Sequence, residues 1–164
     1  MLKSILLVAV LILSQMIASA QTKVYQVDKY GSNRVQFLLL DDDKAYSVDK
    51  YGSNRTQIAV IDNRSIQTTD KYGSNKTQSM VVESGKVFTV DRYGSNRTQI
   101  GLIESGKVYS TDKYGSNKTQ IALVESGKIF STDKYGSNKT QIALIEGGCT
   151  QTELVFVLSQ LGLF

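Results

Sequence analysis

Six copies of Tyr-Gly-Ser-Asn stand 21 residues apart, with tyrosines at Tyr30, Tyr51, Tyr72, Tyr93, Tyr114 and Tyr135 and no insertion or deletion between them. A fixed period of this size marks a repeat architecture, in which one supersecondary unit needs its neighbours to bury its apolar face. The units run from Lys23 to Gly148. Each holds two runs rich in β-branched and aromatic residues, such as Val87 to Val90 and Thr98 to Ile103 in the fourth. Glycine-bearing turns bound both runs, and apolar residues at helical spacing are absent. Each unit therefore reads as a pair of strands.

The turns carry further information. Asp91-Arg92-Tyr93-Gly94 has Asp first and Gly fourth, the preference of a type I turn, and the Asp carboxylate can bond the backbone of its own turn. Glu83-Ser84-Gly85-Lys86 suits a two-residue hairpin. Pairing Glu83 with Lys86 sets Val82 opposite Val87 and Val81 opposite Phe88. One face of a unit then collects Phe88, Val90, Ile100 and Leu102, and the other Val87, Thr89, Gly101 and Ile103. Neither alternates with charge, so both faces are expected to be covered. A stacked solenoid is the competing arrangement. It would place six like-charged residues in each of several columns ~4.8 Å apart, which is destabilising. The expected fold is all-β: an antiparallel meander of about twelve strands, closed radially like a flower or propeller.

The flanks do not share the period. Residues 1–20 have Lys3, an apolar run from Ile5 to Ile12 and the small residues Ala18-Ser19-Ala20, the pattern of a secretory signal peptide. The run is short for a membrane anchor. Cleavage near Ala20 gives a secreted, periplasmic or cell-envelope protein that does not span the membrane, with a repeat domain over residues 21–148. After Gly148, residues 149–164 match no part of the unit. Leu154 to Leu158 reads as a strand, and the tail as a closing strand or a plug. Cys149, the single cysteine, is expected to be a buried thiol. Asp41-Asp42-Asp43-Lys44 and Asp62-Asn63-Arg64-Ser65 replace the Glu-Ser-Gly-Lys turn in the first two units, while the last two units are almost identical.

The Asp-Lys-Tyr-Gly turn, the repeated Gly-Lys-Val-Tyr segment (Gly106 to Tyr109) and the signal peptide resemble those of the secreted bacterial β-flower proteins over Lys23 to Gly148. That likeness implies a small, closed, radial β-structure and carries no activity with it. The units also resemble, more distantly, the Tyr-Asp repeats of large surface and toxin proteins.

Chemistry-bearing constellations are few. The chain has no His, the commonest general base, and the six repeated aspartates sit where turns want Asp. Their spacing to Gly, Ser and Asn fits no calcium loop. An excess of four positive charges is too small for a nucleic-acid binder. The pattern predicts no enzyme, no cofactor and no metal. It does place Tyr30, Asn33, Tyr51, Asn54, Tyr72, Asn75, Tyr93, Asn96, Tyr114, Asn117, Tyr135 and Asn138 on one rim, flanked by bases. Aromatic faces beside amides suit sugars, and weak sites repeated round a ring gain by avidity. The expected function is a non-catalytic binding scaffold for an envelope polysaccharide or a surface protein. The alternative is a self-associating structural envelope protein with no small ligand, in which oligomers form through the apolar tail and unpaired strand ends.

Overall fold

A computed structural model describes residues 21–164, and the expected signal segment, residues 1–20, lies outside them. The described residues form twelve strands and one helix. The strands are β1 Thr22–Gln26, β2 Val35–Asp41, β3 Lys44–Val48, β4 Arg55–Ile61, β5 Ser65–Thr68, β6 Thr77–Glu83, β7 Lys86–Thr89, β8 Thr98–Glu104, β9 Lys107–Thr111, β10 Lys118–Glu125, β11 Lys128–Ser131 and β12 Thr140–Glu146. Helix α1 spans Gln151–Gln160. Every strand pairs antiparallel with its neighbours in sequence, and β1 pairs with β12, so the meander closes into a barrel. Short and long strands alternate. The Asp-Lys-Tyr-Gly-Ser-Asn loops lie on one rim and the Glu-Ser-Gly-Lys turns on the other.

The turn register is the one the sequence predicts, with Glu83, Val82 and Val81 opposite Lys86, Val87 and Phe88. Ser84 and Gly85 have φ of 48° and 81°, as a type I′ hairpin requires. At the seam the pair Lys23↔Glu146 takes the place of a sixth Glu-to-Lys turn pair. Thr22 Oγ1 donates to the Gly148 carbonyl there.

The face assignment needs one correction. Wherever a short strand meets the long strand after its loop, the register slips by one residue, as between Val87/Phe88 and Gly101/Gln99. This β-bulge lets Ile100 pack against the interior beside Gly101, away from Phe88 and Leu102. The inner wall is therefore the face of smaller residues. Val24, Ala45, Ile66, Val87, Val108 and Ile129 are buried in it, with Ala59, Ala122 and Ala143. The larger residues look outward and cover one another. Leu123 is buried outside the core cluster, between Phe130 on one neighbouring strand and Lys107 on the other.

Twelve strands ~4.8 Å apart and tilted by roughly 40° enclose a radius of about 12 Å. Small side chains cannot fill that width, whereas an α-helix about 10–12 Å across can. Residues 151–160 supply it, so the tail is a helix and not the strand expected from its apolar run. Val155, Phe156, Val157 and Leu158 are all at most 2% exposed and join the barrel's core cluster. A helix apolar all round is a buried helix. It begins with a capping box: Glu153 N donates to Thr150 Oγ1 at 3.3 Å, and Thr150 N to Glu153 Oε2 at 2.7 Å. It ends in a Schellman motif, with Gly162 at φ 73° and Leu163 N donating to Leu158 O. Thr152 Oγ1 donates to Asn63 O at 2.9 Å, fixing the helix start to the second unit's turn.

The plug is keyed off-centre. Where other units carry Ala, Met or Leu, the fourth carries Gly101, and a Cβ there would collide with the Phe164 ring. Gly101→Ala should destabilise by about 1–3 kcal/mol through overpacking. In denaturant unfolding, the loss should be smaller when Phe164→Ala is present as well. Additive effects would show that the two residues are not in contact.

Candidate functional site

Each loop is built around its aspartate. The Asp carbonyl accepts from the Gly N–H three residues on at 2.8–2.9 Å in all six loops. One carboxylate oxygen accepts from two backbone N–H groups. For Asp112 these are Tyr114 N at 3.1 Å and Ser116 N at 2.9 Å, while the second oxygen accepts from Asn117 Nδ2 at 2.7 Å. The same set recurs at Asp28, Asp49, Asp70, Asp91 and Asp133, with the Asn amide at 2.6–2.7 Å. The asparagines Asn33, Asn54, Asn75, Asn96, Asn117 and Asn138 are thus struts within their own loops. Hydrogen bonds, the Ser N–H first, hold the carboxyls of Asp49, Asp70, Asp91, Asp112 and Asp133 below their ordinary value, against a smaller opposing effect of desolvation.

The tyrosines are held differently. Tyr30, Tyr51, Tyr72, Tyr93, Tyr114 and Tyr135 are 72–78% exposed. The preceding base lies over each ring. The Lys29, Lys50, Lys71, Lys113 and Lys134 ammoniums are 4.8–4.9 Å from the ring centroids, and the Arg92 guanidinium is at 4.5 Å. Such contacts contribute about 0.5–1 kcal/mol at exposed sites. The rim therefore presents six cation–tyrosine pairs in a closed ring.

The base after each Asn has another task. Arg34–Glu146 at 2.7 Å, Arg97–Glu83 at 2.6 Å, Lys139–Glu125 at 3.5 Å, Lys118–Glu104 at 3.8 Å and Arg55–Asp41 at 3.9 Å tie five of the six units to the one before. These pairs cross the outer wall over the aromatic residue of the intervening short strand, as Lys118 does over Tyr109 at 5.9 Å. The sixth pair is missing among the described residues. Asp62 turns back on Ser65 and Arg64 instead, and Gln67 replaces the aromatic.

One set of residues escaped the sequence reading. Gln36, Gln57, Gln78, Gln99, Gln120 and Gln141 each lie against the glycine of a neighbouring loop, and Gln141 reaches Gly31 across the seam. A Cβ on any of these glycines would sit 2.6–2.8 Å from the glutamine oxygen, and their φ of 72–74° already favours glycine. The invariant spacing of Gln from the loop was the available signal.

The opposite rim holds two open clefts of about 390 and 300 Å³ beside the start of α1, lined by turn residues including Asn63 and by Thr150. Cys149 lies here. It is exposed, which corrects the expected buried thiol, because the Gly147-Gly148 link carries it over the rim before the helix begins. Among the described residues, no group of three His, Cys, Asp or Glu could hold a metal ion, and no helix is long and apolar enough to cross a membrane. No protein-family model matches the chain, and no curated protein matches it.

Two outcomes follow from the rim. The lowered Asp carboxyls stabilise the fold above their ordinary value of 3.8, and that contribution is lost as pH falls through the lower folded values. Melting temperature should therefore drop on acidification below about pH 4, and Asp→Asn at the five positions should flatten the drop. Beneath the loops, the buried hydroxyls of Thr69, Thr111 and Thr132 have no partner, where the other three units carry Val27, Val48 and Val90. Thr→Val at each should raise stability by about 1 kcal/mol, read by chemical denaturation.

Proposed function

We propose that this chain is a secreted, non-catalytic repeat scaffold that binds a cell-envelope glycan or a surface protein through its loop rim. One observation carries the reading: six tyrosines are 72–78% exposed on a single rim of a closed ring. Folding explains the rest of the phrase. Asp, Gly, Asn and the second base all serve the loop or the wall, while the tyrosine and its stacked base serve neither. Contact at several of six equivalent positions gains by effective concentration. The commitment of every loop aspartate to its own backbone supports a role without acid–base chemistry. Closure of six hairpin units supports kinship with the β-flower proteins, in a six-fold form.

The competing reading, a self-associating envelope protein, loses one of its supports, because β1 and β12 pair and leave no open strand edge in the barrel. Removing residues 149–164 does not test it, since the cut takes out part of the core.

A glycan array and a panel of purified surface proteins, probed with the protein and with a variant carrying Tyr→Ala at all six positions, test the proposal. The expected result is one or more ligands bound by the parent and lost in the variant, with the variant still folded by its melting transition. A parent that binds nothing, or a variant that binds as well, would reject it.

A further inference from the structure

We infer that the rim's ligand is an acidic polysaccharide with widely spaced negative charges, and that Lys29, Lys50, Lys71, Arg92, Lys113 and Lys134 are its charge contacts. This rests on the rim being the binding surface, and it names the chemistry of what binds there.

The two sets of loop bases differ in what holds them. Five of the six that follow Asn are in ion pairs at 2.6–3.9 Å. Among the described residues, none of the six that precede Tyr is in an ion pair, and each lies over an exposed ring instead. The loop carboxylates do not compete for them, since both oxygens of each are taken by donors of the same loop. The rim therefore offers a ring of available cations, although the chain's net excess is small.

Neutral sugars fit this surface less well. They need a bare aromatic face with free amides or carboxylates beside it. Here one face of each tyrosine carries a cation, and the loop amides and carboxylates are already engaged. Nucleic acid fits poorly for a reason of spacing. Successive loops are one-sixth of the rim apart, or roughly 12 Å at a radius of about 12 Å, while a nucleic-acid strand in a duplex carries a phosphate roughly every 3.4 Å of helix axis. Most phosphates would meet no cation. A polysaccharide with one carboxylate per two sugars has a spacing closer to that of the rim. Its pyranose faces can lie on the free side of the tyrosines. Several weak contacts then act together.

The test uses the intact protein on immobilised hyaluronan, with one carboxylate per disaccharide, on carboxyl-reduced hyaluronan, on dextran and on an oligothymidylate. Two charge variants accompany it, one with Lys/Arg→Gln at all six positions and one with Lys29→Gln, Lys71→Gln and Lys113→Gln only. Folding is checked by melting temperature. Hyaluronan should bind about tenfold or more tighter than its reduced form or dextran, with affinity falling as salt rises. The triple variant should lose part of that affinity and the six-fold variant nearly all. The triple variant decides the matter if the six-fold one does not fold. Equal binding to charged and reduced polymer, tighter binding to the oligothymidylate, or charge variants that bind like the parent would each overturn the inference. If Tyr→Ala abolishes binding to some neutral glycan or protein while the charge variants retain it, the rim reading stands and only the acidic ligand is wrong. If neither set of variants matters, both fail.

Discussion

The pairing of β1 with β12 is the constraint on which the rest of the structure depends. An open twelve-stranded meander would leave two long unpaired edges and an inner face of Val, Ile and Ala in contact with water. Closing it removes the edges but encloses a lumen too wide for wall side chains to fill. That lumen must be occupied, and the chain that leaves β12 has only one dry place to go, because β1 already takes the position of a sixth turn. Seam, apolar tail and small inner residues are thus three consequences of one closure. Gly101 and Phe164 show how far this goes, since one wall position has given up its side chain to the plug.

The outside of the barrel solves a different problem with the same economy. Large aliphatic and aromatic residues face outward, yet Leu39, Val81, Leu123 and Leu144 are buried by cross-strand neighbours, lysine stems among them. Five ion pairs then cross the wall between units. At the exposure of these side chains each is worth a fraction of a kcal/mol, so they align units more than they stabilise them. The loops are held mainly by hydrogen bonds that begin and end within one unit.

Much of this was legible in the chain. The period gave the number of strands, the Ser-Gly turns gave the register of Val81 to Lys86, and Asp and Gly gave the loop type. Like-charge columns spoke against stacking and for a ring. Other features were hidden for physical reasons. A bulge inserts one residue without breaking the period, so Ile100 was placed on the wrong face. The run Leu154 to Leu158 is apolar at every position, which suits a buried strand and a buried helix alike. Thr150, Glu153 and Gly162 did mark helix ends. The struts made by asparagine could not be told from free amides, because a side chain's partner within a loop depends on backbone angles that composition does not show. Hence the rim looked like twelve contact residues, of which the structure leaves the six tyrosines, with their stacked bases, open to a partner.

The helix in the lumen also bears on how such an array can evolve. Near-identical neighbouring units, like the fifth and sixth here, are easily gained or lost by slippage of the gene. Circumference grows with every added hairpin, while the width of an α-helix does not change. A ring of five would squeeze the core and a ring of seven would leave it hollow. The C-terminal helix is in this sense a gauge, matched in width to a ring of six.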